Sequence, residues 1–290
     1  MTDTMQAEVF DRTECALGEG PLWHPERGQV FWFDILGKRL CTRDGDATRH
    51  WQFDDHVSAA GWIDRDSLLI ASERALLRFD IGTGAQEHVC DLEADNPVTR
   101  SNDGRADPHG GFWIGTMGKR TEPGAGAIWR WYRGELRRLF APITVSNAIC
   151  FAPDGRHACF ADSPKRQVLR VALDGDGWPV GEPEVLVDLT GHKRVPDGAV
   201  MDADGVLWLA EWRGSRVAAY GPDGRLLREV TVPAPQVTCP AFGGPDLTTL
   251  YITTARDGLE PGKLAQYPQS GMTFTAEVGV KGQVEHRVVL

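Results

Sequence analysis

Four oxygen-bearing side chains recur at nearly one distance ahead of a strand centre. Glu19, Asn102, Asn147 and Asp197 lie eleven to thirteen residues before Trp32, Trp113, Cys159 and Trp208. The same spacing falls near Ser58 in one further unit and Cys239 in another. If such units close into a ring, side chains at one depth converge on one point. Carboxylate and carboxamide oxygens meeting there suit a hard or borderline divalent cation, with water completing its shell. No Cys or His occupies these four positions, which argues against a soft-metal site. N-D-G and P-D-G are also ordinary turn tripeptides. One alone says little, and it is four in register that point to a site.

The elements that must position these residues are repeats. HPERGQVFWFDI, DRDSLLIAS, DPHGGFWIGT, APDGRHACFADS, DADGVLWLAE and GPDLTTLYITT each join a turn to an aromatic or β-branched strand. Their strand centres Trp32, Leu69, Trp113, Cys159, Trp208 and Tyr251 follow one another at 37 to 49 residues, the length of a four-stranded propeller blade. Asp-Gly between alternating strands is a strong hairpin signal. The spacing therefore predicts an all-β protein, a six-bladed β-propeller with four-stranded blades, in which residues 1–290 make a single domain. Ring closure is expected to pair the strand near 7–10 with segment 283–290. No helix of consequence is expected.

Composition fits. The chain has 33 Gly, 18 Pro and 10 Trp, as many turns and aromatic strand positions require, and its 41 % hydrophobic content suffices for a core. A net charge of −10 without a basic face speaks against nucleic-acid and anionic-membrane partners. The first twenty residues lack the apolar stretch of a signal peptide, and no run approaches the ~18 apolar residues of a membrane span. The six cysteines are scattered without a C-x-x-C pair, which reads as free thiols in a reducing compartment, and hence a cytoplasmic location. A monomer or weak dimer is expected.

The local sequences LGEGPLW at 17–23, RSNDG at 100–104, TVSNAI at 144–149 and VPDGAVMD at 195–202 resemble the SMP-30/gluconolactonase family. The likeness spans the chain, including GFWIGTM at 111–117 and FGGPDLTTLYITTAR at 242–256. It implies a six-bladed propeller and a lactonase dependent on one divalent metal cation, Ca²⁺ or Zn²⁺ first, with Mn²⁺, Mg²⁺ or Fe²⁺ as further choices. By the same resemblance Glu19, Asn147 and Asp197 hold the metal, and Arg100 and Asn102 contact the substrate. Ala148 stands where the family often has glycine, which leaves the ligand in place but shifts the backbone.

The implied reaction is hydrolysis of an aldonolactone such as a glucono-, xylono-, arabinono- or galactonolactone. A bound cation polarises the carbonyl, and a carboxylate takes a proton from water. Asp197 is the expected base. Asp103 is the reserve, although strand alternation turns it from the side Asn102 faces. Lys119–Gly126 is expected to form a rim, and Trp212 to stand near the pocket. Two alternatives use the same scaffold: a non-enzymatic calcium-binding regulator, and an organophosphate or aryl-ester hydrolase, whose pocket should be more apolar.

Overall fold

Six antiparallel sheets stand in a ring in the computed structural model, which describes residues 3–290. In chain order their main segments run over 18–52, 57–91, 99–143, 146–188, 195–231 and 237–277, and they are called blades 1 to 6. The inner strands are Gly18–His24, Val57–Asp64, Thr99–Ala106, Ser146–Phe151, Val195–Met201 and Val237–Gly243. Each touches the next, and the last touches the first. The repeat therefore gives the predicted six-bladed propeller.

Apolar residues alternate along the strands and gather into six clusters, one at each contact between neighbouring blades. Trp32, Trp113 and Trp208 hold equivalent second-strand positions and are wholly buried. Deleting a side chain of that size from a core typically costs ~3–5 kcal/mol.

Ring closure differs from the expectation. Glu8–Asp11 pairs antiparallel with Thr273–Glu277, completing blade 6. The reason lies in Phe10, whose ring packs edge-on against Tyr251 at 5.0 Å and also meets Trp32, tying this strand over the contact between blades 6 and 1. Asp3–Gln6 adds a parallel fifth strand to blade 5.

Segment 283–290 instead crosses the far end of the channel as a strap. The Gln283 amide donates to the carbonyls of Phe151 and Met201. Glu285 pairs with Arg105, and its carbonyl accepts the Trp62 indole N–H. The Val288 and Val289 amides bond to Trp62 and Gly110. The strap thus touches blades 2 to 5 and crosses this end, and the N-terminal ends of the inner strands form the other mouth.

Candidate functional site

Five of the sequence-predicted residues meet at that mouth. Glu19, Arg100, Asn102, Asn147 and Asp197 line one cavity of about 430 Å³. They form its floor, since each is only 3–6 % exposed. The backbone explains why four different blades deliver side chains to one level. In every inner strand the pairing with the second strand shifts register beside the residue in question, after Glu19, Val57, Ser101, Asn147, Pro196 and Val237. Such bulges re-aim side chains beside active sites.

The bulges have backbone requirements that sequence supplies. Gly20 has φ +51°, and a Cβ there would collide with the Ser58 carbonyl. Beside Asp197, a Cβ on Gly198 would meet the Cys239 sulfur. Ala148 occupies the equivalent left-handed position after Asn147 with φ +56°, which accounts for the family's preference for glycine there.

Hydrogen bonds orient the amides. Ser163 Oγ donates to the Pro196 carbonyl at 2.7 Å and so receives Asn147 Nδ2 at 2.8 Å. That leaves Asn147 Oδ1 facing the ring. Asn102 Nδ2 donates to the Ser146 carbonyl at 2.8 Å and to Asn147 Oδ1 at 3.2 Å, while Arg100 donates to Asn102 Oδ1 at 2.9 Å. Asn102 is thus held rigidly from both ends.

The carboxylates are held at an electrostatic cost. Burial pushes the Glu19 carboxyl up to about 8, and the charge of Asp103 adds to the shift. Burial, then Glu19, then Asp103 push Asp197 well above the usual carboxylate range. Asp103 rises to about 6 by burial, and burial lowers Arg100 to about 10. Among the described residues neither Glu19 nor Asp197 forms an ion pair within 4.0 Å. Two buried carboxylates that repel each other, beside an inward-facing amide oxygen, fit a divalent cation with an all-oxygen shell. Among the described residues no three His, Cys, Asp or Glu side chains are grouped to hold an ion, so an ion bound here would need the Asn147 carboxamide beside the two carboxylates.

This has a consequence for the cation-free protein. A carboxyl whose pKa is raised on folding takes up protons in the folded state. The stability it contributes is present at low pH and is lost as pH climbs from its ordinary value of 4.5 toward 8. The melting temperature should fall over that window, recover when a divalent cation is added, and fall less in Glu19→Gln. Thermal denaturation with and without cation checks this, and a flat profile in the cation-free protein would contradict it.

Asp103 turns away as alternation predicts. Its Oδ2 accepts the Ile149 N–H at 2.7 Å, and it does not line the cavity. Trp212 lines it as expected, but of the expected rim 119–126 only Lys119 and Thr121 do, whereas Gly124, Ala125 and Gly126 line a separate groove. Ser163, Arg166, Lys193, Arg213 and Asp257 are there as well, and sequence reasoning had not singled them out. A larger groove of about 660 Å³ lies outside blade 3, but its one inward carboxylate, Glu93, is taken up by Thr99, Thr116 and Trp129.

Residues 17–256 match the SMP-30/Gluconolactonase/LRE-like region. An L-arabinolactonase of Azospirillum brasilense is 35 % identical over 97 % of this chain and 95 % of its own. A 6-deoxy-6-sulfogluconolactonase of Pseudomonas putida is 33 % identical over 98 % of each. The crystal structure of a calcium-binding protein, regucalcin, from Agrobacterium tumefaciens superimposes with a TM-score of 0.97 at 39 % identity, covering all of both chains.

Proposed function

The chain belongs to the SMP-30/gluconolactonase family, and we propose that it opens the internal ester of a sugar lactone with one divalent cation held by Glu19, Asn147 and Asp197. The observation that carries this reading is the convergence, in one cavity, of an oxygen-only ligand set with the Arg100 guanidinium, which is held in place on Asn102. The lactonase names of the relatives support the reaction class. When bound, the cation would act as a Lewis acid on the lactone carbonyl.

The remaining work falls to side chains. Asp197, buried at the cavity floor, accepts the proton of the attacking water. Arg100 offers its guanidinium to substrate hydroxyls while orienting Asn102. Ser163 keeps Asn147 Oδ1 turned to the ring. The charged side chains of the lining suit a polyhydroxylated ring, while Leu17, Leu36 and Met117 give part of it an apolar face. A passive cation binder would not need Arg100 and Asn102 beside the donor set. Six free thiols support a reducing, cytoplasmic setting, and the longest helix, Pro261–Gln266, is far too short to cross a membrane.

Two measurements test the assignment. In calorimetry Glu19→Gln should bind Ca²⁺, Zn²⁺ or Mn²⁺ at least about tenfold more weakly, since one charged ligand is lost. Unchanged affinity would remove Glu19 from the site. Arg100→Ala should raise KM about 10- to 100-fold for a hydroxylated lactone and far less for one without hydroxyls, as a charged donor to a hydroxyl is worth ~1.5–3 kcal/mol. Equal losses on both substrates would make Arg100 purely structural.

A further inference from the structure

The protein carries a net charge of −10, yet its cavity is lined by Arg100, Lys119, Arg166, Lys193 and Arg213 against Glu19, Asp197 and Asp257. A cation held by Glu19 and Asp197 would leave those walls more positive still. Two of the basic groups are already engaged. Arg100 is bound to Asn102, and Lys119 is paired with Glu73.

The other three are different. Among the described residues Arg166, Lys193 and Arg213 have no carboxylate within 4.0 Å, whereas their sequence neighbours do: Lys165 pairs with Asp162, and Arg194 and Arg216 both pair with Glu211. Asp162 and Glu211 are thus taken up by the neighbours, and among the described residues the three cations have no ion pair although the exposed Asp257 lines the same cavity. Arg166 and Arg213 also sit in left-handed backbone, with φ +57° and +66°, in non-glycine positions where that conformation costs energy. All three come from blades 4 and 5 and the connections beside them, the sector that supplies Asn147 and Asp197. Leu17 and Leu36 from blade 1 and Met117 from blade 3 line the cavity as well.

A neutral lactone offers its hydroxyls as hydrogen-bond acceptors, the part given to Arg100, but no charge to pair with three further cations. The acid freed by hydrolysis forms at the floor, beside Asp197, while Lys193 and Arg213 are exposed at the rim. What remains to meet them is a charge on the substrate remote from the reacting carbonyl. Resting on the lactonase reading, we infer that the preferred substrate is a lactone whose far end carries a fixed negative group, a carboxylate, sulfonate or phosphate, received by Arg166, Lys193 and Arg213. The relatives' names do not decide the matter, since one is named for L-arabinolactone and one for a sulfo-substituted gluconolactone.

The test uses four hexonolactones that differ only at C6, bearing hydroxymethyl, carboxylate, sulfonate or phosphate, with the cation-loaded full-length protein. At low ionic strength at least one charged lactone should exceed the neutral one in kcat/KM by about tenfold or more, as three exposed ion pairs allow. The advantage should shrink as NaCl is raised. In the combined variant Arg166→Ala, Lys193→Ala, Arg213→Ala, shown folded by circular dichroism, the charged-to-neutral ratio should fall toward one. Turnover of the neutral lactone equal to or above all three charged ones would overturn the inference and leave the lactonase reading intact. A ratio that survives the combined variant would overturn it too. Turnover of none of the four, with arabinono- and xylonolactone inert as well, would remove the lactonase reading and the inference together.

Discussion

Asp197→Asn is expected to lose ~100- to 10,000-fold of kcat on a sugar lactone, and added cation is expected not to restore it. The change keeps the size of the side chain and one oxygen able to face a cation. It removes the negative charge and the basic site. A carboxamide cannot take a proton from water near neutral pH, so the defect would lie in the chemical step and persist at saturating cation. The structure adds a second signature. Asp197 is buried and its charge is opposed by Glu19 and Asp103. Neutralising it relieves that repulsion, so the cation-free variant should melt at a higher temperature than the wild type. Activity lost while stability rises is the pattern of a residue kept for function at the fold's expense. The measurement is kcat against rising cation concentration, with melting curves on the same samples. A variant that regains wild-type kcat at high cation would take the proton-acceptor role from Asp197. Asp103 is a poor successor, because its carboxylate already holds the Ile149 amide and does not reach the cavity.

The parts of this protein that could be read from sequence are those that repeat. Asp-Gly turns and buried strand centres recur in every blade because each blade solves the same packing problem against its neighbours. Counting back from Trp32, Trp113, Cys159 and Trp208 reaches the inner strands, and the six register shifts there turn sequence spacing into a common depth. Elements with no counterpart in other blades stayed hidden. Ser163 lies on a short turn that, among the described residues, occurs only in blade 4, and Lys193 lies on the connection to blade 5. Nothing periodic marks either. The chain ends misled for a related reason: two terminal segments could each complete blade 6, and the choice falls to Phe10, whose partners Tyr251 and Trp32 lie far away in sequence.

Glu285→Ala is expected to destabilise the protein by ~3–5 kcal/mol, a loss of about 10 °C in Tm. Arg105 projects from the inner strand of blade 3 to the strap and is only 8 % exposed. Its charge is answered by Glu285, itself 7 % exposed. The other contacts of the guanidinium, to the Ala199 and Pro240 carbonyls at 3.5 Å, are too long to compensate, and its Nε has no partner. Removing Glu285 would therefore leave a buried cation unpaired and free the strap where it passes from blade 4 to blade 2. Replacing both partners with leucine removes the stranded charge, so Arg105→Leu with Glu285→Leu should recover most of the loss, a coupling that a double-mutant cycle reads directly. The effect should also reach the catalytic end. Arg105 holds down the pKa of Asp103, and without Glu285 its charge is no longer offset, so that pKa should fall further. Thermal melts of the two single variants and the double variant settle the point. A shift under ~2 °C for Glu285→Ala would mean that the pair contributes no more than an exposed one does, and that the far end of the channel is closed by the backbone contacts at Trp62 and Gly110 instead.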